Sequence, residues 1–362
     1  MPFQIDVHVI PMAHPADWSE LERLIAENTL QPRDIVAVFG KTEGNGCVND
    51  FTRAYASQTL ATYLTGTCNI PTDQIPVIVM SGGTEGALSP HATIFTRRSV
   101  AGASTSEGAL MVASGHTAML PPEHLGRVAQ VEMVAAMVTR LIAEAAIPAD
   151  RVAFVQVKCP LLTAARVLEA RGRGKSVTTT DAYKSMALSR AASALGVAVA
   201  LGELSLDQID DTAIGRDWSL YSSVASVSSG IELTNHEVCV LGTSRQATGP
   251  LRIGRAVMAH PLDQAALTRA LVNTNSGETD PLTRLVQLFA KAEAPPDGTI
   301  LGSRHTMLDD SDIQHSRMAR AVVGAVLAAA SGKTQIYVSG GAEHQGPAGG
   351  GPVAVIVRAA GE

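Results

Sequence analysis

Lys41, Lys158 and Lys291 each stand near the end of an apolar run, in VAVFGKTEG, FVQVKCPLL and QLFAKAEAP. Each is followed further along by a serine in a glycine-bearing run: Ser81 in MSGGTEG, Ser228 in VSSGIEL and Ser339 in VSGGAEH. Between them stands an arginine before small apolar residues: Arg53 in RAYASQTLA, Arg190 in RAASALGVA and Arg320 in RAVVGAVLA. A lysine whose pKa is lowered by burial or by cationic neighbours can take the proton of a serine hydroxyl and make it a nucleophile. Glycines after the serine let backbone amides approach a developing oxyanion. Arginine adds a permanent planar cation suited to a carbonyl oxygen or a delocalised anionic ring. The order Lys, Arg, Ser recurring three times predicts three divergent copies whose residues meet near one axis, as a receptor for a compact threefold ligand.

The copies differ in ways that bear on chemistry. A carboxylate follows the lysine by two residues in the first and third, Glu43 and Glu293, and would hold that lysine as ammonium if the strand continued. The second has Pro160 there, which makes Lys158 the expected neutral base. Its expected partner is Ser228, aligned with Ser81 and Ser339, with adjacent Ser229 as competitor because it replaces the first glycine. Cys159 beside Lys158 reads as a small buried hydrophobe rather than a nucleophile. The turn from Ala342 to Pro352, AEHQGPAGGGP, has glycines and carbonyls able to wrap a hard cation, with Glu293 or Gln345 as side-chain ligand; a bare turn is the other reading. His91, His236, His305 and His344 lack triad or metal spacing and read as structural or exposed.

The elements that position these residues follow from the patterning. The fold class is α/β: three pseudo-threefold-related α/β units whose inner sheets form a central β-barrel with helices outside. The units are 1–103, 109–250 and 255–362, with a Ser/Gly/Ala-rich connector over 98–111. Apolar periodicity predicts helices over 121–146, 261–272 and 310–330, and the basic loop Arg171 to Lys175 reads as a solvated surface loop. With 362 residues, 46% hydrophobic and 17% charged, the chain can bury a large core. A net charge of -6 without a basic run gives no footprint for nucleic acid or an anionic membrane, so a small molecule is the expected partner. The N-terminus lacks a signal-like pattern, and a soluble, cytoplasmic protein is expected. The four cysteines lack the spacing of a zinc site or disulfide framework.

The segments GKTEGNGCVND, MSGGTEGALSPH, VQVKCPLLT, SGIEL, FAKAEAPPDG, RHTMLDDSDI and YVSGGAEHQGPAGGGP together resemble the cyanuric acid hydrolase and barbiturase family of cyclic amide hydrolases, over nearly the whole chain. The resemblance implies a threefold pseudosymmetric barrel, a homotetramer, and hydrolytic opening of a cyclic imide ring by a Ser-Lys dyad without an organic cofactor. It puts the nucleophile on Ser228 and the base on Lys158. Ring contacts fall on Arg53, Arg190 and Arg320, on Ser81 with Gly82, Ser228 with Ser229, and Ser339 with Gly340, and on Lys41 and Lys291. A structural divalent cation, magnesium or calcium, would sit on Glu293, Ala342, Gln345, Gly346, Pro347 and Gly350. Cyanuric acid is the substrate these motifs favour, barbituric acid the alternative, and a binding protein that holds a small ring without reacting is the reading from another class.

Overall fold

A computed structural model describes residues 1–101 and 107–360. Its first sheet takes β1 (Phe3–Pro11), β2 (Ile35–Thr42), β3 (Val77–Gly82) and β4 (His91–Ser99), with α1 (Ser19–Ala26) after β1 and α2 (Phe51–Gly66) between β2 and β3. The middle sheet takes β5 (Ala109–His116), β6 (Val152–Cys159), β7 (Ala225–Ser229) and β8 (Glu237–Ser244), with α3 (Val128–Glu144) after β5, then α4 (Ala164–Gly172) and α5 (Ala182–Ala200) between β6 and β7. After the two-residue strand β9 (Ala247–Thr248), β10 (Leu251–Met258), α6 (Ala265–Val272) and β11 (Leu285–Ala292) begin the third sheet. The small hairpin of β12 (Thr299–Ile300) and β13 (Ser303–Arg304) precedes α7 (His315–Ser331), β14 (Tyr337–Gly340) and β15 (Gly351–Arg358).

The three sheets share one strand order: β3-β2-β4-β1, β7-β6-β8-β5 and β14-β11-β15-β10, with β9 added to the edge of the first. In each, the lysine strand and the serine strand are parallel, and the remaining pairs among these four strands are antiparallel. A parallel pair needs a crossover, and the crossover carries the arginine helix: α2, α5 or α7. Lysine and serine strands are buried almost throughout, hence their largely apolar or small residues.

Side chains alternate across a strand, so Phe39 and Lys41 share one face of β2, as do Phe154, Gln156 and Lys158 on β6 and Gln287, Phe289 and Lys291 on β11. These faces meet in a common core, where the Phe289 ring lies 5.3 Å from Phe154, 6.0 Å from Phe39 and from Tyr337, and 6.2 Å from Phe95, centre to centre. The Gln287 amide donates to the Thr93 hydroxyl at 2.7 Å, joining the third sheet to the first. On the far faces, α1 and α2 cover the first sheet through Leu21, Leu60 and Leu64, and α6 and α7 cover the third through Leu267, Val323 and Leu327.

The helices are shorter than the periodicity predicts. Residues 121–146 begin as a 3-10 turn at Pro122–His124, then Gly126 at φ +70° breaks the path before α3. The expected helix from 261 starts at Ala265, and the one from 310 starts at His315, where Gln314 accepts from the Ser316 amide. The expected loop begins later than Arg171: Arg171 and Gly172 form the last turn of α4, and only Arg173 to Lys175 lie beyond it, with Arg173 tied to Glu123 and Glu169 on the surface. In the 98–111 connector, 98–99 end β4 and 109–111 begin β5; residues 102–106, including the unit boundary at 103, lie outside the described residues, as do 361–362.

Candidate active site

The parallel register places Lys41 opposite Ser81, Lys158 opposite Ser228 and Lys291 opposite Ser339. All three lysines are at most 1% exposed. Above them Arg53 from α2, Arg190 from α5 and Arg320 from α7 converge with Ser81, Gly82, Ser228, Ser229, Ser339 and Gly340 on one small cavity, which Gly46 and Met186 complete. Of the eleven residues expected to contact a ring, nine line this one cavity and two, Lys41 and Lys291, do not line it and are buried. The cavity is narrow, about 20 Å³.

The contacts run from one copy to the next. The Lys291 amine donates to the Val227 carbonyl at 2.6 Å, and the Lys158 amine donates to the Met80 carbonyl at 2.5 Å. Each of these carbonyls belongs to the residue before a serine of the preceding copy. Arg320 grips both carboxylate oxygens of Glu85 at 2.6 and 2.7 Å, and Arg190 grips those of Glu343 at 2.6 and 2.7 Å. These are charge-assisted, forked pairs. Glu85, Glu232 and Glu343 each stand four residues after a site serine, a recurrence present in MSGGTEG, VSSGIEL and VSGGAEH that the sequence reading passed over. The glycine two after each serine makes room. A Cβ on Gly83 would lie 2.3 Å from the Arg320 guanidinium, and one on Gly341 would lie 2.8 Å from that of Arg190.

The second copy breaks this pattern. Arg53 does not take Glu232; it donates to the Ser229 carbonyl at 2.9 Å and the Cys47 carbonyl at 2.7 Å. Glu232 instead lies 3.1 Å from the Lys158 amine. The expectation that Lys158 lacks a carboxylate partner is therefore corrected. So is the pairing of Glu43 and Glu293 with their lysines: β2 ends at Thr42 and β11 at Ala292, so the same-face rule stops before either carboxylate. Glu43 is exposed, and Glu293 turns to the backbone amides of Ala294 and Ala342.

Burial pulls all three lysines below the ordinary value, Lys41 and Lys291 well below it with arginine repulsion adding to the effect, while Glu232 offsets part of the shift at Lys158. The hydroxyls also divide. Lys41 donates to Ser81 at 3.2 Å, Lys291 to Ser339 at 3.1 Å, and Ser81 to Ser339 at 3.4 Å, so the first and third copies form one connected chain. The Ser228 hydroxyl is buried without a hydrogen-bond partner among the described residues. Burial raises the Cys159 thiol, which makes it a poor nucleophile.

The turn after β14 folds back on Glu293, which is 4% exposed. The amides of Ala342 and Ala294 donate to its carboxylate at 2.6 and 2.9 Å, and His315 is 3.7 Å away. Gln345 is not a free side-chain ligand: its amide oxygen accepts from the Val227 amide at 2.6 Å and its nitrogen donates to the Gly341 carbonyl at 3.1 Å. Among the described residues no group of three or more His, Cys, Asp or Glu side chains is placed to hold a metal ion. A cation here would rest on Glu293 and on backbone carbonyls of the turn, whose residues Gly346 and Gly349 have positive φ. That donor chemistry fits a hard cation. Of the histidines, His91 and His236 are buried with pKa lowered to about 4 and about 3 by desolvation, and His344 stacks on Trp218 while accepting from the Gly215 amide.

Gly341→Ala tests whether the arginine seats matter. It should displace Arg190 and raise KM roughly tenfold, about 1.4 kcal/mol, with an unchanged circular dichroism spectrum; unchanged KM contradicts the role given to that glycine.

The chain matches known proteins over nearly its whole length. Residues 6–358 match the family described as amidohydrolase ring-opening protein. A cyanuric acid amidohydrolase of Pseudomonas sp. (strain ADP) is 49% identical over 362 residues, 99% of this chain and 100% of that protein. One from Azorhizobium caulinodans is 51% identical over 354 residues, 97% of each chain. A solved structure of cyanuric acid hydrolase superimposes with a TM-score of 0.94 at 49% identity, covering 99% of this chain and 100% of that one. A crystal structure of the A. caulinodans hydrolase gives 0.93, with the same identity and coverage. No helix among the described residues is long and apolar enough to cross a membrane. The chain belongs to the ring-opening amidohydrolase family, as the sequence motifs led us to expect, and is a cyclic amide hydrolase.

Proposed function

We propose that this enzyme opens cyanuric acid, with Ser228 as nucleophile and Lys158 as base. The observation that carries the assignment is the Ser228 hydroxyl: of the three dyad serines it is the one without a partner, and it is 7% exposed in the shared cavity against 3% for Ser81 and 1% for Ser339. The whole-length relatives named cyanuric acid amidohydrolases support the substrate. The ring alternates three carbonyls with three N–H groups. Three arginines above three serine turns offer each carbonyl a donor set, in keeping with three units around a pseudo-threefold axis whose sheets close into a barrel.

Lys158 in its neutral form takes the Ser228 proton as Oγ attacks a ring carbonyl. Turn amides at Ser228–Ser229 and the adjacent guanidinium of Arg53 or Arg190 stabilise the tetrahedral oxyanion. The C–N bond then breaks and Lys158 returns the proton to the departing ring nitrogen. Water, deprotonated by Lys158, attacks the acyl carbon; the Oγ bond breaks and Ser228 regains its proton. The product is carboxybiuret, which loses carbon dioxide to give biuret.

Turnover of cyanuric and barbituric acids in parallel tests this. Ser228→Ala and Lys158→Ala should each lose at least about 10³-fold in kcat on cyanuric acid, and Ser81→Ala and Ser339→Ala should act chiefly on KM. Turnover of barbituric acid alone moves the substrate assignment, binding of either ring without turnover makes the protein a receptor, and an active Ser228→Ala removes the nucleophile.

The cation at Glu293 and the Ala342–Gly350 turn, magnesium or calcium, belongs to the same reading, as does the homotetramer. The bound ion would neutralise the buried carboxylate and brace the turn, away from the reacting atoms. Chelation should lower the melting temperature by several degrees, restored by either ion, while the tetramer persists in sedimentation. Unchanged melting rules out the ion, and a monomeric mass rules out the tetramer.

A further inference from the structure

Behind Lys158 lies a second cavity, of about 610 Å³, that none of the ring-binding arginines or serines lines. Its inner wall carries Glu232 and Glu237, and α2 contributes Ala54, Ser57 and Ala61. Glu237 stands directly opposite Lys158 in the β6–β8 ladder. The same place in the first sheet holds His91, opposite Lys41. One oxygen of Glu237 and both of Glu232 are buried without a hydrogen-bond donor in good geometry, although Glu232 keeps its 3.1 Å ion pair with Lys158. The equivalent carboxylates of the other copies, Glu85 and Glu343, are each locked by an arginine.

We propose that Glu232 and Glu237 pass protons between Lys158 and water in this rear cavity, so that the base exchanges protons with solvent while the ring cavity is closed over substrate. The proposal rests on the Ser228–Lys158 reading. In the resting ion pair the Lys158 ammonium gives its proton to Glu232, which becomes a neutral acid, and Lys158 becomes the free amine that Ser228 requires. The proton moves from Glu232 to Glu237 and on to a cavity water. Each turnover turns one water and one amide into a carboxylic acid and an amine. The product acid ionises near neutral pH and gives its proton to the neutral Lys158 amine, so one proton leaves the site through the base in each cycle. Lys158 itself is 1% exposed, and the Met80 carbonyl to which it donates cannot accept a proton.

The titratable and charged groups facing the pair are Lys158 from β6, Arg53 from α2, His116 from β5 and Asp73 from the loop before β3. Burial raises the Glu237 carboxyl to about 8, with Glu232 adding to the rise and Lys158 opposing it, which suits a group that both holds and releases a proton near neutrality. The counterpart, Glu232, is lowered by Lys158 and Arg53 against its own burial. Both act through Lys158 and touch no substrate.

The test uses the full-length enzyme with cyanuric acid. Glu237→Gln keeps shape and removes the acid; kcat should fall about 10- to 100-fold with KM unchanged and an enlarged solvent deuterium effect on kcat. Glu237→Ala should show the same loss and regain part of kcat on adding formate, which the rear cavity has room to admit. Ala61→Phe, which fills that cavity and leaves both carboxylates in place, should also lower kcat. The relay is overturned if Glu237→Gln keeps kcat within twofold, if its loss lies in KM, or if formate restores nothing. A fully active Glu237→Gln beside an inactive Lys158→Ala removes the relay and leaves the dyad; an active Lys158→Ala removes both.

Discussion

Three lysine side chains buried where three sheets meet are the constraint on which this structure depends. An amine taken from water costs free energy unless it loses its charge or finds acceptors. Here both occur. Desolvation lowers each lysine, and backbone carbonyls of the preceding copy receive the amines of Lys158 and Lys291. Arginine is held at the same centre because Glu85 and Glu343 neutralise Arg320 and Arg190 through forked pairs. The glycines at 83 and 341 follow from this, since a side chain there would occupy the guanidinium's place.

Within this recurring frame the second copy stands apart in several ways. Glu232 leaves arginine for Lys158, Ser228 is left without a partner, Ser229 replaces a glycine, and Glu237 occupies the strand position opposite Lys158. The first and third copies satisfy one another through the Lys41–Ser81–Ser339–Lys291 chain and so provide a fixed floor. A ring seat needs repetition, whereas a reaction at one carbonyl needs one set of groups free to exchange protons.

Much of this was legible in the residues. The Lys, Arg, Ser order located the three lysines that face serines across a ladder and nine residues of the cavity wall, because a strand register of two and a crossover helix recur wherever the pattern does. What escaped had physical reasons. The same-face rule was carried past the ends of β2 and β11, so Glu43 and Glu293 were given to lysines they do not meet. Glu85, Glu232 and Glu343 were hidden inside runs read for their serines and glycines. Glu237 drew no reading from the sequence, since nothing local shows that it faces Lys158 across the ladder. Helix starts were misplaced where Pro122 and the Gln314 cap set the boundary rather than apolar periodicity.

The account's central claim is that only the second copy reacts. Acid quenching during turnover of cyanuric acid, followed by peptide mass spectrometry, reads it directly. The account predicts an acyl adduct confined to the peptide containing Ser228 and lost in Ser228→Ala. An adduct on Ser81 or Ser339 contradicts it.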